Sequence, residues 1–403
     1  MKTIFLSVPS GSHSRALLKP LRPFFEQAIR EQKIKLIIVS PMSRYPDLTR
    51  EFQGSGFIFV AWKPSIFKQY QPTLVVSTTT GLDECDIPIL KEAKKRKIPT
   101  LTYIESWDNI WKMERRQNEM VKVNTLLVWN EMMKEHAQRI FGYKDNQIHI
   151  VGSPRLDYFW HKDKIPSREE LCHYLNVNPK KKLIHIATVE LYDISYVVKI
   201  IAEARDQGKI KMPVEIYCSV HPGGNIIKHE RYANKYKVKL RYSFGRKDST
   251  PHPLFKYNPT DQDMYMLVSL WINSDLMVNF SSTAAIESML GDTPTINVMF
   301  SKPFDFWRWR KSAVYRDFKE HYQDIITEQG TTVVKNKKQF LAAINQYLVR
   351  PDLNQGGRRK TCQKMLTFLD GRSSERVFNL IIQKCEALHD FTAHKHLLRM
   401  GFQ

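Results

Sequence analysis

The chain of 403 residues is poor in cysteine, and none of its cysteines is arranged for metal binding. Cys85, Cys172, Cys218, Cys362 and Cys385 are scattered with no C-x-x-C pair, which argues against a zinc site and a disulfide framework and suits a reducing cytoplasm. No run of 18 or more apolar residues occurs, so no membrane-spanning helix is expected. The opening MKTIFLSVPSGSHSR has one lysine before a short apolar run and no small-residue cleavage site. It reads as a buried first strand rather than a signal peptide. Acid is the scarce charge, with 41 Asp+Glu against 62 Lys+Arg, a formal net charge of +21. Such a surplus suits nucleic acid, anionic headgroups or a phosphate-bearing substrate. Zinc-finger, ribonucleoprotein and basic-leucine patterns are all missing, so no nucleic acid is expected as a partner. What remains is a phosphate-bearing substrate, a peripheral contact with an anionic membrane, or both. The expected location is the cytoplasm, with attachment to the inner face of the cell membrane left open.

What is present is an ordinary globular composition, 42% hydrophobic and 26% charged. The first half alternates short apolar runs with helical stretches: KTIFLSV, KLIIVS, FIFVAW, TLVVSTTTG, TLTYIES, TLLVWN and IHIVG. The pattern restarts after about residue 160 with a helix opened by Ser167, then KKLIHIATV, VEIYCSV, VKLRYSF, LMVNFSS and PTINVMF. Strands alternating with helices predict α/β units and mainly parallel sheets. The expected division is 1–155, 156–375 and a helical tail, 376–403, packed on the N-terminal domain.

In parallel α/β sheets, ligands bind at the C-terminal ends of strands, where helix N-termini offer unpaired N–H groups. DLMVNFSSTAAIESMLGDTPTINVMF (275–300) is such a junction. Ser281, Ser282 and Thr283 separate a strand from a helix and suit a diphosphate, while Glu287, one turn further, suits the two hydroxyls of a ribose. A plain helix cap with a surface glutamate explains the segment equally well in isolation. A second strand end supplies His221 and Pro222 followed by two glycines, and VGSPRLD supplies Gly152, Ser153 and Arg155. DQD at 261–263 has the spacing of a metal motif but opens a helix, so it reads as a cap; no metal and no cofactor are expected.

VGSPRLD, the strand ending in HP, and SDLMVNFSSTAAIESMLGDTPTI together resemble nucleotide-sugar glycosyltransferases of the GT-B fold. Their relatives include UDP-N-acetylglucosamine 2-epimerases and CDP-glycerol glycerophosphotransferases. DGRSSERVFNLI (370–381) resembles the C-terminal segment of bacterial surface-polysaccharide members. The resemblance spans about residues 145–385. It implies two Rossmann-like domains facing across a cleft, the second holding the nucleotide, with Ser282 and Thr283 at the diphosphate, Glu287 at the ribose and His221 near the phosphates. It also implies a nucleotide-sugar donor and a carbohydrate or lipid-linked acceptor in capsule, lipopolysaccharide or other surface-glycan assembly. Many inverting members carry a histidine after the first strand, and here His13 stands there, in a loop; a neutral imidazole there can deprotonate an acceptor hydroxyl. Retaining members often have a glutamate where this chain has Asn279, which favours inversion.

Glu105 and Asp108, set among Tyr103, Trp107 and Trp111, are further candidates, because aromatic rings cover apolar sugar faces while carboxylates hold hydroxyls. The competing explanation makes Trp107 core and Asp108 a helix cap. FWRWRK (306–311) suits lipid headgroups or a packed loop. Three alternatives to glycosyl transfer stay open: a sugar-nucleotide 2-epimerase using Glu105, Asp108 or Glu190, a CDP-linked glycerol or ribitol phosphotransferase, and a binding module that has lost catalysis.

Overall fold

The computed structural model describes residues 1–41, 49–79, 86–190, 192–246 and 256–400, with side chains described up to 386; Cys85 lies outside these residues. The chain divides into two compact units, Met1–Asp157 with Lys247–Asn258 and Leu366–Gln403, and Tyr158–Arg246 with Pro259–Met365.

The first unit holds β1 (Lys2–Ser7), β2 (Ile34–Ser40), β3 (Ile58–Ala61), β4 (Leu74–Ser77), β5 (Thr100–Tyr103), β6 (Thr125–Val128) and β7 (Ile148–Ile150) in one parallel sheet of order β3-β2-β1-β4-β5-β6-β7. The second holds β8 (Lys182–Ala187), β9 (Val214–Val220), β10 (Lys239–Tyr242), β11 (Leu276–Asn279), β12 (Thr295–Val298) and β13 (Thr332–Val334), ordered β10-β9-β8-β11-β12-β13 and again all parallel. Both orders are of Rossmann type, reversing direction between β1 and β4 and between β8 and β11. Helices cover parallel sheets on both faces, which is why the strands are nearly continuous apolar runs: Ile4 to Leu6, Leu36 to Val39, Leu276 to Val278 and Ile296 are fully or almost fully buried.

Ten helices position the residues discussed below: α1 (Lys19–Arg30), α2 (Asn109–Arg115), α3 (Arg168–Leu175), α4 (Ser195–Asp206), α5 (Asp261–Asn273), α6 (Ala284–Leu290), α7 (Phe306–Lys311), α8 (Ala313–Lys319), α9 (Lys337–Val349) and α10 (Ser373–Met400). Ser167 caps α3, its Oγ accepting from the Glu170 N–H while the Glu170 carboxylate accepts from the Ser167 N–H. Thr260 and Asp263 cap α5 in the same reciprocal way, so DQD is a cap as its position suggested. The α10 helix packs on α1, with the Phe378 ring centroid 5.6 Å from those of both Phe24 and Phe25.

Two local features depart from the sequence reading. The segment after β1 is not an open loop: Gly11–His13 forms a helical turn that runs through a π-helical turn, Ser14–Leu18, into α1. Pro20 and Pro23 lack the N–H groups an ordinary α-helix would use there, and the Lys19 N–H bonds five residues back to the Ser14 carbonyl. The other is β13, a strand of only three residues ahead of α9, too short to leave an apolar period in the sequence.

Candidate functional site

In the second unit, the loops after β8, β9 and β11 bring together Thr188, Glu190, His221 and the Ser281–Thr283 junction. The Thr188 Oγ1 accepts the His221 N–H at 2.8 Å, tying the ends of β8 and β9. Gly223 N–H donates to His221 Nδ1 at 3.1 Å, so in the neutral ring the proton sits on Nε2. His221 Nδ1 lies 3.8 Å from the Glu190 carboxylate, and both side chains are about half exposed. A β-carbon on Gly223 would come within 2.7 Å of Glu190, which explains the glycine after His-Pro. Pro222 offers its carbonyl to Arg246.

At the β11–α6 junction, Ser281, Ser282 and Thr283 are partly exposed. Ser282 Oγ accepts the Ala284 N–H at 3.1 Å, and Ser281 Oγ donates to the Val314 carbonyl at 2.9 Å. The Ser281 hydroxyl proton is thus committed to α8. Glu287 is buried one turn into α6. Beneath the junction, Asn279 is wholly buried and donates to Tyr322 Oη at 3.0 Å, while Tyr322 donates to Asn297 Oδ1 at 3.0 Å. The position where retaining relatives place a carboxylate is therefore part of a buried amide–phenol network. Burial raises the Tyr322 pKa and keeps it a neutral donor. After β12, Lys302 reaches Asp193 at 3.3 Å; burial alone would raise the Asp193 pKa, but hydrogen bonds from Ser195 and Lys302 leave it lowered.

In the first unit, His13 is only 5% exposed. Its Nδ1 is 2.6 Å from Ser10 Oγ, and its buried Nε2 has no partner among the described residues. When Nδ1–H donates to Ser10, Nε2 presents a lone pair and can act as a base. The turn is held from the side by Tyr257: a β-carbon on Gly11 would lie 2.0 Å from the Tyr257 carbonyl oxygen, and Arg15 donates to the Tyr257 hydroxyl at 2.7 Å. Asp86, fully buried, ties β1 to β4 by accepting from Ser7 Oγ at 2.5 Å and from the Thr79 N–H at 3.1 Å.

Glu105 keeps one carboxylate oxygen buried without a partner among the described residues. Asp108 is committed: Ser106 Oγ donates to it at 2.5 Å and Lys112 Nζ lies 2.6 Å away. It stands at the N-cap of α2 without a capping hydrogen bond, and Trp107 is core. Gly152, Ser153 and Arg155 belong to the first unit. Gly152, at φ +78°, faces Ser373, and Arg155 lies over the Trp129 ring at 5.2 Å. Asp157 caps α10, accepting from the Ser373 and Ser374 N–H groups and from Ser374 Oγ at 2.6 Å. Burial raises the Asp157 pKa against the pull of these donors. VGSPRLD and DGRSSERV therefore meet as two halves of one joint. Thr188, Ser10 and Asp86 had no motif to mark them; the first two only follow apolar runs, and Asp86 only opens a helix.

Among the described residues, Asp317, Glu320 and His321 bring three possible metal-ligand atoms within 4.8 Å of one another, unrelated to DQD. No helix there is long and apolar enough to cross a membrane.

Two parallel Rossmann-type sheets, with polar side chains at the strand ends of both switch points, define a GT-B α/β protein. Comparison with known proteins gives the family. Residues 96–188 and 270–383, just over half the chain, match the CDP-glycerol:poly(glycerophosphate) glycerophosphotransferase family model, and the chain belongs to that family. Among solved structures, it is similar to the wall teichoic acid polymerase TagF soaked with CDPG (13% identity, 96% of this chain and 90% of that one, TM-score 0.62). It is likewise similar to UDP-GlcNAc 2-epimerase from Neisseria meningitidis bound to UDP-GlcNAc (11%, 95% and 100%, 0.62) and to a glycosyltransferase from Rickettsia africae ESF-5 (13%, 95% and 98%, 0.55). At these identities the likeness is one of fold. No curated protein matches the sequence.

Proposed function

We propose that the protein transfers a polyol phosphate from a CDP-linked donor to a hydroxyl of a surface-polymer acceptor, carbohydrate or lipid-linked. The observation that carries this reading is the family match, which includes the β8 strand and its end at Thr188 as well as the whole Ser281–Glu287 junction. In this reading the second unit holds the donor. Ser282 and Thr283 face the diphosphate, Glu287 accepts the ribose hydroxyls, and His221 Nε2–H donates to a phosphate oxygen as negative charge builds on the leaving group. The first unit supplies the base. The acceptor oxygen attacks the donor's distal phosphorus, the bridging P–O bond breaks, CMP leaves, and the hydroxyl proton passes to His13 Nε2. Glu105, with one oxygen unpartnered among the described residues, is the second candidate for holding an acceptor hydroxyl.

Glycosyl transfer from a nucleotide sugar is the second reading. The resemblance of 275–300 to glycosyltransferases favours it, and the burial of Asn279 away from any carboxylate role favours inversion within it. The leaving nucleotide separates the two readings. Incubation with CDP-glycerol and with a panel of nucleotide sugars, each with a polyol-phosphate or glycan acceptor, should release CMP from CDP-glycerol. Release of a nucleoside diphosphate from a sugar donor instead would establish glycosyl transfer. An epimeric sugar nucleotide would make the protein an epimerase, and intact donors throughout would make it a binding module.

A further inference from the structure

The second unit carries an aromatic and basic surface that the proposed chemistry does not use. Residues 301–319, from the end of β12 through α7 and α8, contain six Lys or Arg and two Asp. Phe304 is fully exposed, Trp307 74% and Phe306 53% exposed, three of the eight exposed large hydrophobic residues among those described. Phe304 has a left-handed backbone, φ +61°, a conformation a bulky side chain rarely takes. Trp309 anchors α7: it is buried against Tyr192, Phe280 and Tyr315, and its neighbours Trp307 and Arg308 face outward.

Behind Phe304 and Phe306 lies a cavity of about 750 Å³ between α4, α7, α8 and the start of α9. Ile200, Met299, Phe300, Trp309 and Phe318 give it apolar walls. Its charged lining residues are five lysines and one glutamate, and Lys319, Lys335 and Lys337 are exposed. None of the candidate catalytic or nucleotide-binding residues lines it. An apolar interior with cationic edges and protruding aromatics matches the boundary between acyl chains and anionic headgroups.

We propose that this face docks on an anionic phospholipid surface, with Phe304, Phe306 and Trp307 entering the headgroup–acyl boundary and Arg308, Arg310 and Lys311 meeting lipid phosphates. Arrangement favours a lipid surface over an enclosed acidic ligand, because Arg308, Arg310 and Lys311 share one short helix with the exposed Phe306 and Trp307.

The test is co-sedimentation of the full chain with phosphatidylcholine vesicles and with vesicles containing a quarter phosphatidylglycerol, without any donor or acceptor, so the outcome does not depend on the proposed reaction. Wild type should bind the anionic vesicles, lose binding at high salt, and bind phosphatidylcholine alone weakly. Each surface cation contributes roughly fivefold to partitioning. Arg308→Glu with Lys311→Glu should therefore weaken binding by about 30-fold or more, and Phe304→Ser with Trp307→Ser by about 10-fold. All four residues are exposed, so thermal unfolding should match wild type. Wild type that ignores anionic vesicles, or binding kept by both double variants, would overturn the proposal. Trp307→Phe provides a second reading: wild-type tryptophan emission should shift to the blue on anionic vesicles, and that shift should vanish in the variant. A shift kept by the variant would place the contact elsewhere.

Discussion

The two sheets share one strand order, yet they treat the polar groups at their switch points in opposite ways. In the first unit those groups are sealed: Asp86 is locked to Ser7 and Thr79, and His13 is buried with one nitrogen left without a partner among the described residues. In the second they are open, with His221 and Glu190 half exposed and Ser282 and Thr283 at the surface of the junction. A soluble, multiply charged donor needs a site it can enter and leave. A proton acceptor works best where water does not compete, and a buried, unpaired imidazole nitrogen is costly unless a substrate satisfies it. In the proposed reading, the open strand ends serve binding and the sealed histidine serves proton transfer.

The largest effect should come from breaking the sealed side. His13→Ala and His13→Asn should each lower turnover by about 10²–10⁴-fold with donor affinity unchanged, measured as initial rates beside a donor titration. Turnover above a tenth of wild type would move the base to Glu105. Asp157→Ala tests whether VGSPRLD is architecture or part of the donor site. It leaves three hydrogen-bond donors at the start of α10 without their acceptor and should cost about 2 kcal/mol in denaturant unfolding, with affinity for the CDP-linked donor preserved. Weakened donor binding without a stability loss would reverse that assignment. On the open side, Thr283→Val and Glu287→Gln should each weaken donor binding by roughly tenfold in calorimetry, because each removes one hydrogen bond to a polar or charged ligand group. Unchanged affinity in both would return the junction to a helix cap.

The smallest effect concerns acid. His185 is fully buried on β8, its Nε2 2.6 Å from Ser219 Oγ, and burial lowers its pKa to about 3. The unfolded chain takes up this proton below about pH 6.5 while the folded chain does not until about pH 3. Its contribution is therefore complete above pH 6.5 and is lost as pH falls through that window, at on the order of 1 kcal/mol per unit. Burial shifts His229, in the same unit, in the same direction. Replacing His185 with Gln should flatten the acid limb of unfolding midpoints measured against pH.

Twelve of the strands were legible because parallel strands buried on both faces must be apolar along their length, as KTIFLS and VEIYCSV show. β13 was not, because three residues carry no period. The exposed strand-end groups of the second unit were legible because hydroxyls and a histidine interrupt apolar runs there. The joint between VGSPRLD and DGRSSERV was not, because the sequence gives no distance between Asp157 and Ser374, 217 positions apart. His13 was legible as a residue but not as a buried one: a Pro-Ser-Gly-Ser run reads as flexible, and only Tyr257, packed against Gly11, shows otherwise.

Hydrogen-exchange mass spectrometry with and without CDP-glycerol tests the division of labour most directly. Protection should appear in peptides covering 187–190, 221–225 and 281–288, at the strand ends of the second unit, while peptides covering 4–16 and 104–110 stay unchanged. Protection confined to the first unit's peptides would contradict the account.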